Sequence, residues 1–202
     1  MKVSLQNIGK RYNREWIFRH FSLDFNDSGS YAITGANGSG KSTLLQVIAG
    51  ATTHSEGLLL YAKQDDTVIN EPYRHIAIAA PYLELIEELS ATEFLKFHAG
   101  FKKLTAGVDE ILASVQLEKA AHKQIRYFSS GMKQRLKLAQ AFFSESDMLL
   151  LDEPTTNLDS DGVSLYQELV HKFAGNRLLI ISSNAPQEYS FCKDVIKIED
   201  YK

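Results

Sequence analysis

The sequence has little cysteine, tryptophan or proline, with one, one and four of these residues among 202. The single cysteine, Cys192, excludes an internal disulfide, and such usage is typical of proteins from a reducing compartment. No apolar run approaches the roughly 20 residues that a helix needs to cross a bilayer. Residues 1–12 also lack the apolar core of a secretory signal. We therefore expect a cytoplasmic chain without a membrane-spanning segment of its own.

The sequence also has no excess of positive charge. The formal net charge is −3, with basic and acidic residues interspersed, so no nucleic-acid partner is expected. The histidines show no metal-ligand spacing, which argues against a zinc site. They are His20, His54, His75, His98, His122 and His171. The length suits one α/β domain over residues 1–202 with an inserted subdomain.

What the sequence does contain is a glycine-rich segment between a strand and a helix, at residues 30–43. Residues 31–34 form an apolar strand and residues 41–45 open a helix, which is the order of a phosphate-binding loop. Its glycines let successive backbone N–H groups turn inward and form an anion-binding concavity. On this motif alone, a chance glycine-rich turn is the alternative. The residues predicted to contact a nucleoside triphosphate are Gly35, Asn37, Gly38, Ser39, Gly40, Lys41, Ser42 and Thr43.

Period-two alternation around this segment predicts antiparallel strands with one solvated face. The alternating apolar side chains are Val3, Leu5, Phe21, Leu23 and Phe25. Residues 57–62 and 67–70 are predicted to form a hairpin, and residues 75–80 a further buried strand. An antiparallel β subdomain therefore accompanies the glycine-rich loop.

The apolar period then becomes helical. Residues 91–101 and 108–117 are each predicted to form a helix, so we expect an inserted helical subdomain over approximately residues 81–126. A further helix begins after the hydroxyl residues Ser129 and Ser130, which are suited to capping. Its apolar stripe, spaced i, i+4, i+7 and i+11, consists of Met132, Leu136, Ala139 and Phe143.

Two continuous apolar runs predict central parallel strands that are covered on both faces. Residues 148–151 end in Asp152 and Glu153, and residues 178–181 are followed by two serines and Asn184. In an open parallel sheet, ligands bind where the carboxyl ends of the strands meet. We therefore expect Asp152, Glu153 and Asn184 to converge with the glycine-rich loop on one site.

These side chains match the needs of nucleoside triphosphate hydrolysis. Lys41 is expected to lie against the β- and γ-phosphates, while Ser42 and Asp152 are expected to complete the environment of a Mg²⁺ ion. Glu153 is the candidate that orients and activates the attacking water. The alternative for two adjacent acids is a solvated strand end, but that alternative does not explain their pairing with the loop.

The motifs resemble those of the nucleotide-binding subunit of an ATP-binding cassette (ABC) transporter, over essentially the full length. Residues 35–43 are similar to the family's Walker A motif, and residues 148–154 to its Walker B motif with the catalytic glutamate. The decisive segment is residues 128–135, FSSGMKQR, which resembles the family signature LSGGQ. Other classes of phosphate-binding-loop protein lack this signature.

The resemblance implies an α/β fold: a P-loop NTPase core with a mixed or parallel central sheet, an N-terminal antiparallel β subdomain and an inserted helical subdomain. It implies ATP and Mg²⁺ as ligands. Tyr12 falls where the family's adenine-stacking aromatic lies, with Trp16 as the reserve candidate. Ser129 and Gly131 of the signature, and Asp159 of the segment that resembles the D-loop, are implied to contact nucleotide.

The sequence also departs from the family pattern. In the signature, Phe128, Ser130 and Met132 replace leucine, the first glycine and glutamine. Pro81 stands where the family has the Q-loop glutamine, and proline offers no side-chain oxygen to metal or water. Asn184 stands at the switch histidine and cannot carry a proton charge. Slow or differently coupled hydrolysis is therefore expected.

The resemblance predicts an ATPase subunit that dimerises, with itself or with a similar subunit, and powers separate transmembrane permease subunits. Such partners would hold the chain at the inner face of the cell membrane. Residues 82–89 lie where the family docks a permease, although burial in the helical subdomain explains their apolar side chains as well. The alternatives are a non-transport ABC ATPase, which usually carries paired cassettes, and a regulatory ATP-binding module, against which the intact Glu153 argues.

Overall fold

The computed structural model describes all residues from Met1 to Lys202 and contains eight strands and six α-helices. The strands are β1 Lys2–Tyr12, β2 Glu15–Phe25, β3 Ser30–Thr34, β4 Glu56–Ala62, β5 Ile76–Ala79, β6 Met148–Asp152, β7 Leu178–Ser182 and β8 Asp194–Lys197. The helices are α1 Lys41–Ile48, α2 Ala91–Ala99, α3 Val108–Ser114, α4 Ser130–Phe143, α5 Ser160–Phe173 and α6 Pro186–Tyr189. None of the helices combines the length and apolar character that crossing a bilayer requires.

The chain divides into two compact units, of which the first comprises Met1–Ile78, Ser146–Glu153 and Asn176–Lys202. Its smaller sheet is antiparallel, with strand order β2-β1-β4. In this sheet Val3 of β1 pairs with Phe25 of β2, and both side chains are buried. The predicted antiparallel β region is therefore confirmed.

The larger sheet of the first unit has the strand order β5-β6-β7-β3-β8. β3 runs parallel to β7 and β8, and β6 runs parallel to β7. Ser182, at the end of β7, pairs with Ile33 on one side and with Asp152 on the other. All residues of β6 and β7 are buried, and each strand is apolar up to the polar residue that ends it. The carboxyl ends of the two strands meet at one edge of the sheet. This arrangement confirms the predicted α/β class.

The second unit comprises Ala79–Glu145 and Pro154–Gly175, and it is helical. Its α2 begins with a capping box, in which Ser90 and Glu93 satisfy each other's backbone N–H groups. α4 packs against α5, where the Phe142 and Tyr166 rings meet edge to face. The predicted helical segment at residues 81–126 lies within this unit, which also includes α4 and α5.

Several sequence-based boundaries differ from the structure. Residues 67–70 form no strand, because their pairing across the turn is limited to one isolated β-bridge, between Val68 and Ala62. The strand predicted from His75 begins at Ile76, after the short 3₁₀ turn Pro72–His75. The helix predicted through residue 117 ends at Ser114, since Gln116 has a left-handed φ of 57° that a helix cannot contain.

Candidate nucleotide site

The glycine-rich loop connects β3 to α1 in the first unit. Gly40 is the N-cap of α1, and its φ of 105° is a left-handed conformation that side chains rarely adopt. A Cβ at this position would lie 2.6 Å from Ile17 Cγ2, so a side chain is excluded sterically as well. No side chain caps the helix, and no acidic residue occupies its first turn. The first turn, which includes Ser42 and Thr43, is therefore electrostatically suited to an anion.

The Lys41 side chain is drawn into this loop, and the residue is only 5% exposed. Its ammonium donates to the carbonyl oxygens of Gly35 at 2.7 Å and Ala36 at 3.3 Å. A buried ammonium needs such partners, since desolvation of an unpaired charge is costly. The loop thus holds a buried cation against two of its own carbonyl oxygens.

Asn184, just beyond β7, contacts the same loop. Its Oδ1 accepts a hydrogen bond from the Gly35 backbone N–H at 3.1 Å, and its Nδ2 donates to Asn37 Oδ1 at 3.2 Å. The register between β7 and β3 makes this contact possible, because the Ser183 backbone N–H bonds to the Ile33 carbonyl. The predicted meeting of Asn184 with the loop is therefore seen in the structure.

Asp152 and Glu153 lie at the end of β6, and they differ in environment. Asp152 is 1% exposed, and burial raises the pKa of its carboxyl, while the Ser42 hydroxyl and the Lys41 ammonium favour the ionised form. Glu153 has a φ of 42°, which is strained for a residue with a side chain. Its backbone N–H donates to the Ser182 carbonyl at 2.8 Å, which helps to fix this turn.

Buried polar atoms without a partner are concentrated at this edge of the sheet. Four buried side-chain oxygens in the chain have no hydrogen-bond partner, and three of them belong to Ser39, Asp152 and Ser182. Native proteins satisfy nearly all such atoms, so an unsatisfied group calls for an explanation. A polar guest at the loop and the strand ends supplies one.

The oxygen atoms at this edge fit a small hard cation. Asp152 Oδ1 is one of the unpartnered buried atoms, and the Ser42 hydroxyl is close enough to influence the carboxyl. Mg²⁺ takes oxygen ligands and is commonly held by one or two protein groups together with waters and substrate phosphates. The pair Ser42 and Asp152 satisfies that requirement.

The predicted adenine platform, Tyr12, ends β1 and is 48% exposed. The Lys10 ammonium lies over its ring, 4.7 Å from the centroid. Trp16 is more crowded, with the Arg19 guanidinium 4.2 Å and the Arg11 guanidinium 5.4 Å from its ring centroid. Tyr12 therefore has the more accessible ring of the two.

The predicted signature and D-loop residues belong to the second unit, where they have structural contacts. Ser129 is the N-cap of α4, and its Oγ accepts from the Met132 backbone N–H at 3.2 Å. Asp159 caps α5 by accepting from the Gly162 N–H at 2.9 Å. A Cβ at Gly131 would lie 3.1 Å from the Asn157 carbonyl oxygen, so the signature and D-loop backbones pack closely.

The sequence reasoning missed two residues at the site. Ser182 ends β7 beside Asp152, and the rule that singled out Asn184 could have identified it. Glu199 contacts the loop through the Ala36 N–H, although 163 residues separate the two positions. No signal in the sequence predicted that contact.

Fold and site together define a P-loop nucleoside triphosphatase, and comparison with known proteins narrows the class. The sequence model described as ABC transporter matches residues 18–156. The chain is 30% identical over 195 residues to the uncharacterized ABC transporter ATP-binding protein YybJ of Bacillus subtilis, covering 94% of this chain and 89% of that protein. It is 31% identical to the cytochrome c biogenesis ATP-binding export protein CcmA of Mesorhizobium japonicum, covering 92% and 93%.

A comparison with a solved structure supports the same assignment of the fold. The dimeric post-hydrolysis state of the ATP-binding cassette MJ0796, bound to ADP and Pi, aligns with a TM-score of 0.82 at 24% identity. The alignment covers 96% of this chain and 93% of that chain. The chain belongs to the ABC transporter family, as an ATP-binding subunit of the family's ATPase type. The resemblance seen in the motifs is therefore confirmed.

Proposed function

We propose that the chain binds ATP together with Mg²⁺ at the carboxyl edge of the parallel sheet and hydrolyses it to power a separate membrane permease. The observation that carries this proposal is the concentration of unpartnered buried oxygens at Ser39, Asp152 and Ser182, beside the Lys41 ammonium. A triphosphate and its cation offer partners to such a set of groups. The glycine-rich backbone would bind the phosphates, and Ser42 and Asp152 would hold the Mg²⁺, which neutralises charge on the β- and γ-oxygens when bound.

Glu153 is proposed as the general base. Water oxygen attacks the γ-phosphorus, its proton passes to the Glu153 carboxylate, and the bond from phosphorus to the bridging oxygen of ADP breaks. The left-handed φ of Glu153 supports this role, because backbone strain of this kind concentrates at functional sites. An intact base also favours turnover over a purely regulatory role.

Asn184 is proposed to contact the γ-phosphate. One N–H of its amide donates to Asn37, and the second N–H is able to donate to a phosphate oxygen. Because the amide is neutral at every accessible pH, this contact lacks the charge that a protonated histidine supplies. We therefore expect slower hydrolysis than in cassettes with the histidine, with little pH dependence from this position.

Dimerisation is proposed to complete two ATP sites. The cap of α4 uses a lone pair of Ser129 Oγ, which leaves the hydroxyl hydrogen to donate to a phosphate oxygen. Gly131 permits close backbone approach to that phosphate. A head-to-tail pair of chains, as in the dimeric MJ0796 cassette, would bring this helix end to ATP held by the partner's loop.

A groove in the second unit is the proposed permease-docking site. Its volume is about 320 Å³, and its lining combines apolar and charged residues: Pro81, Leu83, Glu84, Leu85, Glu87, Lys133 and Lys137. Lys133 pairs with Glu87, and the Lys137 ammonium donates to the Pro81 carbonyl at 2.8 Å. Both lysines of the groove are thus already engaged, and the half-buried side chains of Leu83 and Leu85 are left for a helical segment of the permease. Docking there would hold the chain at the cytoplasmic face of the membrane.

Hydrolysis is tested with Glu153→Gln, which keeps the shape of the side chain and removes the proton acceptor. We expect ATP affinity to stay within about twofold and phosphate release to fall by on the order of 10². Glu168→Gln is the matched control, because this carboxylate is exposed on α5 and pairs only with Lys172. Sedimentation of Glu153→Gln should show an ATP-dependent dimer. Equal, measurable phosphate release by wild type and Glu153→Gln would contradict the general-base assignment.

Permease docking is tested by co-purification in detergent with any membrane protein that the genes beside this one encode. Leu85→Asp should abolish co-purification, because it places a charge in the groove. Phe101→Asp is the control, since Phe101 is an exposed apolar residue that does not line the groove. Equal recovery of the membrane protein by both variants would place the docking surface elsewhere.

A further inference from the structure

A carboxylate from the end of the chain lies on the phosphate-binding loop of the first unit. The backbone N–H of Ala36 donates to Glu199 Oε1 at 2.5 Å. A Cβ built on Gly35 would lie 2.6 Å from Glu199 Oε2, so the carboxylate fills the space of the missing side chain. Glycine at position 35 is therefore a condition for this contact as well as for the turn of the loop.

The segment that carries Glu199 is anchored in the core. It is the 3₁₀ turn Ile198–Tyr201, in which Ile198 is fully buried. The Tyr201 ring packs on Phe21, with 4.4 Å between the ring centroids. β8, which precedes the turn, pairs with β3, which leads into the loop. The carboxylate is thus positioned by packed structure and is not part of a loose tail.

Glu199 and Lys41 bring opposite charges to the same short stretch of backbone. The carboxylate accepts from the Ala36 N–H, while the Lys41 ammonium donates to the Gly35 and Ala36 carbonyls. The Ala36 hydrogen bond lowers the pKa of Glu199, and the Lys41 charge acts in the same direction. Glu199 is therefore ionised at neutral pH, and an arriving phosphate meets a negative charge beside the lysine.

The contact of Asn184 with the loop indicates where along the loop Glu199 lies. Asn184 accepts from the Gly35 N–H, one residue before the amide that Glu199 binds. If Asn184 faces the γ-phosphate, as proposed above, Glu199 lies at the γ-phosphate end of the loop. The charge would then act most strongly on the phosphate that ATP has and ADP lacks. This step rests on the proposed function.

We propose that Glu199 is a specificity-determining residue of the nucleotide site. Its negative charge opposes the terminal phosphate more than the inner phosphates, and so it narrows the preference for ATP over ADP. Neutralising the charge should increase ATP affinity more than ADP affinity. With this charge the chain would thus bind ATP less tightly, and its affinities for ATP and for ADP would differ less.

The experiment is calorimetric titration of wild type and Glu199→Gln with ATP and with ADP. The glutamine keeps an oxygen that can accept from Ala36, so only the charge changes. At low ionic strength we expect ATP affinity to rise about threefold to tenfold and ADP affinity to rise less than about twofold. The gain for ATP should disappear at about 0.5 M salt, because the carboxylate is exposed to solvent.

Two further variants separate charge from position. Asp200→Asn changes the net charge equally on the same turn without a loop contact, so it should change either affinity by less than about twofold. Glu199→Ala should fall below Glu199→Gln in ATP affinity, because it also removes the acceptor for the Ala36 N–H. An unchanged ratio of ATP to ADP affinity in Glu199→Gln overturns the proposal. Wild-type protein that binds neither nucleotide would instead overturn the nucleotide site itself.

Discussion

The two helices that follow candidate phosphate-binding segments begin in different ways. α1 starts after Gly40, and no side chain accepts a hydrogen bond from its first N–H groups. α4 starts after Ser129, whose Oγ accepts from the Met132 N–H. The first turn of α1 therefore keeps its backbone donors for an anion, whereas α4 has satisfied one of them internally.

This difference separates an independent anion site from an auxiliary one. The N-terminus of α1 has the Lys41 ammonium beside it, while the cation in the first turn of α4, Lys133, is paired with Glu87. The macrodipole of either helix contributes only a modest attraction on its own. We infer that α1 binds phosphate unaided, and that α4 adds contacts only to a phosphate that another chain already holds.

The largest expected effect is the loss of ATP binding in Lys41→Ala. Removing this buried ammonium leaves the Gly35 carbonyl without its donor and the triphosphate without its nearest cation. We expect ATP affinity to fall roughly 100-fold by calorimetry. Lys63→Ala is the control, because Lys63 lies in an exposed turn outside the loop. Unchanged ATP affinity in Lys41→Ala would show that the α1 site does not depend on this ammonium. The proposed difference between the N-termini of α1 and α4 would then be wrong.

A smaller effect is expected when the end of α4 is altered. Ser129→Ala should leave ATP affinity of the monomer within about twofold and lower turnover about tenfold, because the proposed donor to the partner's phosphate is lost. The same change removes the helix cap, so the free energy of unfolding should fall by about 1 kcal/mol. Ser129→Asp keeps a capping oxygen but has no hydrogen to donate to a phosphate, and so it separates the two effects. Restored stability with turnover still reduced would support the composite site, whereas full recovery of both would reduce Ser129 to a cap.

Gly131 is a poorer test of the same interface than Ser129. A side chain there would press on the carbonyl of Asn157 within the same unit, so Gly131→Asp would disturb the D-loop in addition to any partner. Gly131→Ala is milder, since a Cβ at 3.1 Å requires a shift of only a few tenths of an ångström. We expect Gly131→Ala to weaken ATP-dependent dimerisation by less than about tenfold, which is the loss of turnover expected for Ser129→Ala.

What could be predicted from the sequence follows the range of the interactions. Local rules located the glycine-rich loop, the cap at Ser129 and the acids that end β6, because each depends on neighbours in the chain. The rule for parallel sheets then brought Asn184 to the loop. The Glu199 contact lay beyond such rules, since it depends on the packing of Ile198 and Tyr201 in the core. The cap of α5 similarly gave a structural contact to Asp159, which was predicted only as a nucleotide ligand.

The base of the nucleotide distinguishes the two helix ends further, because only the α1 site is proposed to have an aromatic platform. Tyr12→Ala should weaken ATP about threefold to tenfold and leave inorganic triphosphate unchanged. Trp16→Ala should have less effect on ATP, since two guanidinium groups already flank its ring. Calorimetry with both ligands measures the difference. A larger loss of ATP affinity in Trp16→Ala would show that the platform is Trp16 and that its assignment to Tyr12 is wrong.

The other end of α4 contacts a titratable side chain, His98, within the second unit. His98 Nε2 lies 2.8 Å from Ser144 Oγ, Gln140 Nε2 lies 3.2 Å from His98 Nδ1, and Ser144 Oγ donates to the Gln140 carbonyl. This network is satisfied when Nε2 carries the hydrogen and Nδ1 accepts from the Gln140 amide. Protonation of Nδ1 would set two donors against each other. Burial lowers the pKa of His98, and the Lys102 charge acts in the same direction.

The smallest expected effect is therefore a loss of stability in acid that is confined to the unit containing α4. Because the folded state holds His98 neutral, its contribution is complete above about pH 6.5 and is lost as the pH falls from there through the lowered pKa. The loss should be on the order of 1 kcal/mol or less, since the ring is partly exposed. Hydrogen exchange of α4 and of α1 amides, compared at several pH values in wild type and His98→Gln, measures it. The amides of α4 alone should lose protection in acid, and His98→Gln should abolish that loss. An equal loss of protection in the α1 amides would mean that the effect of acid is not confined to the unit that contains α4.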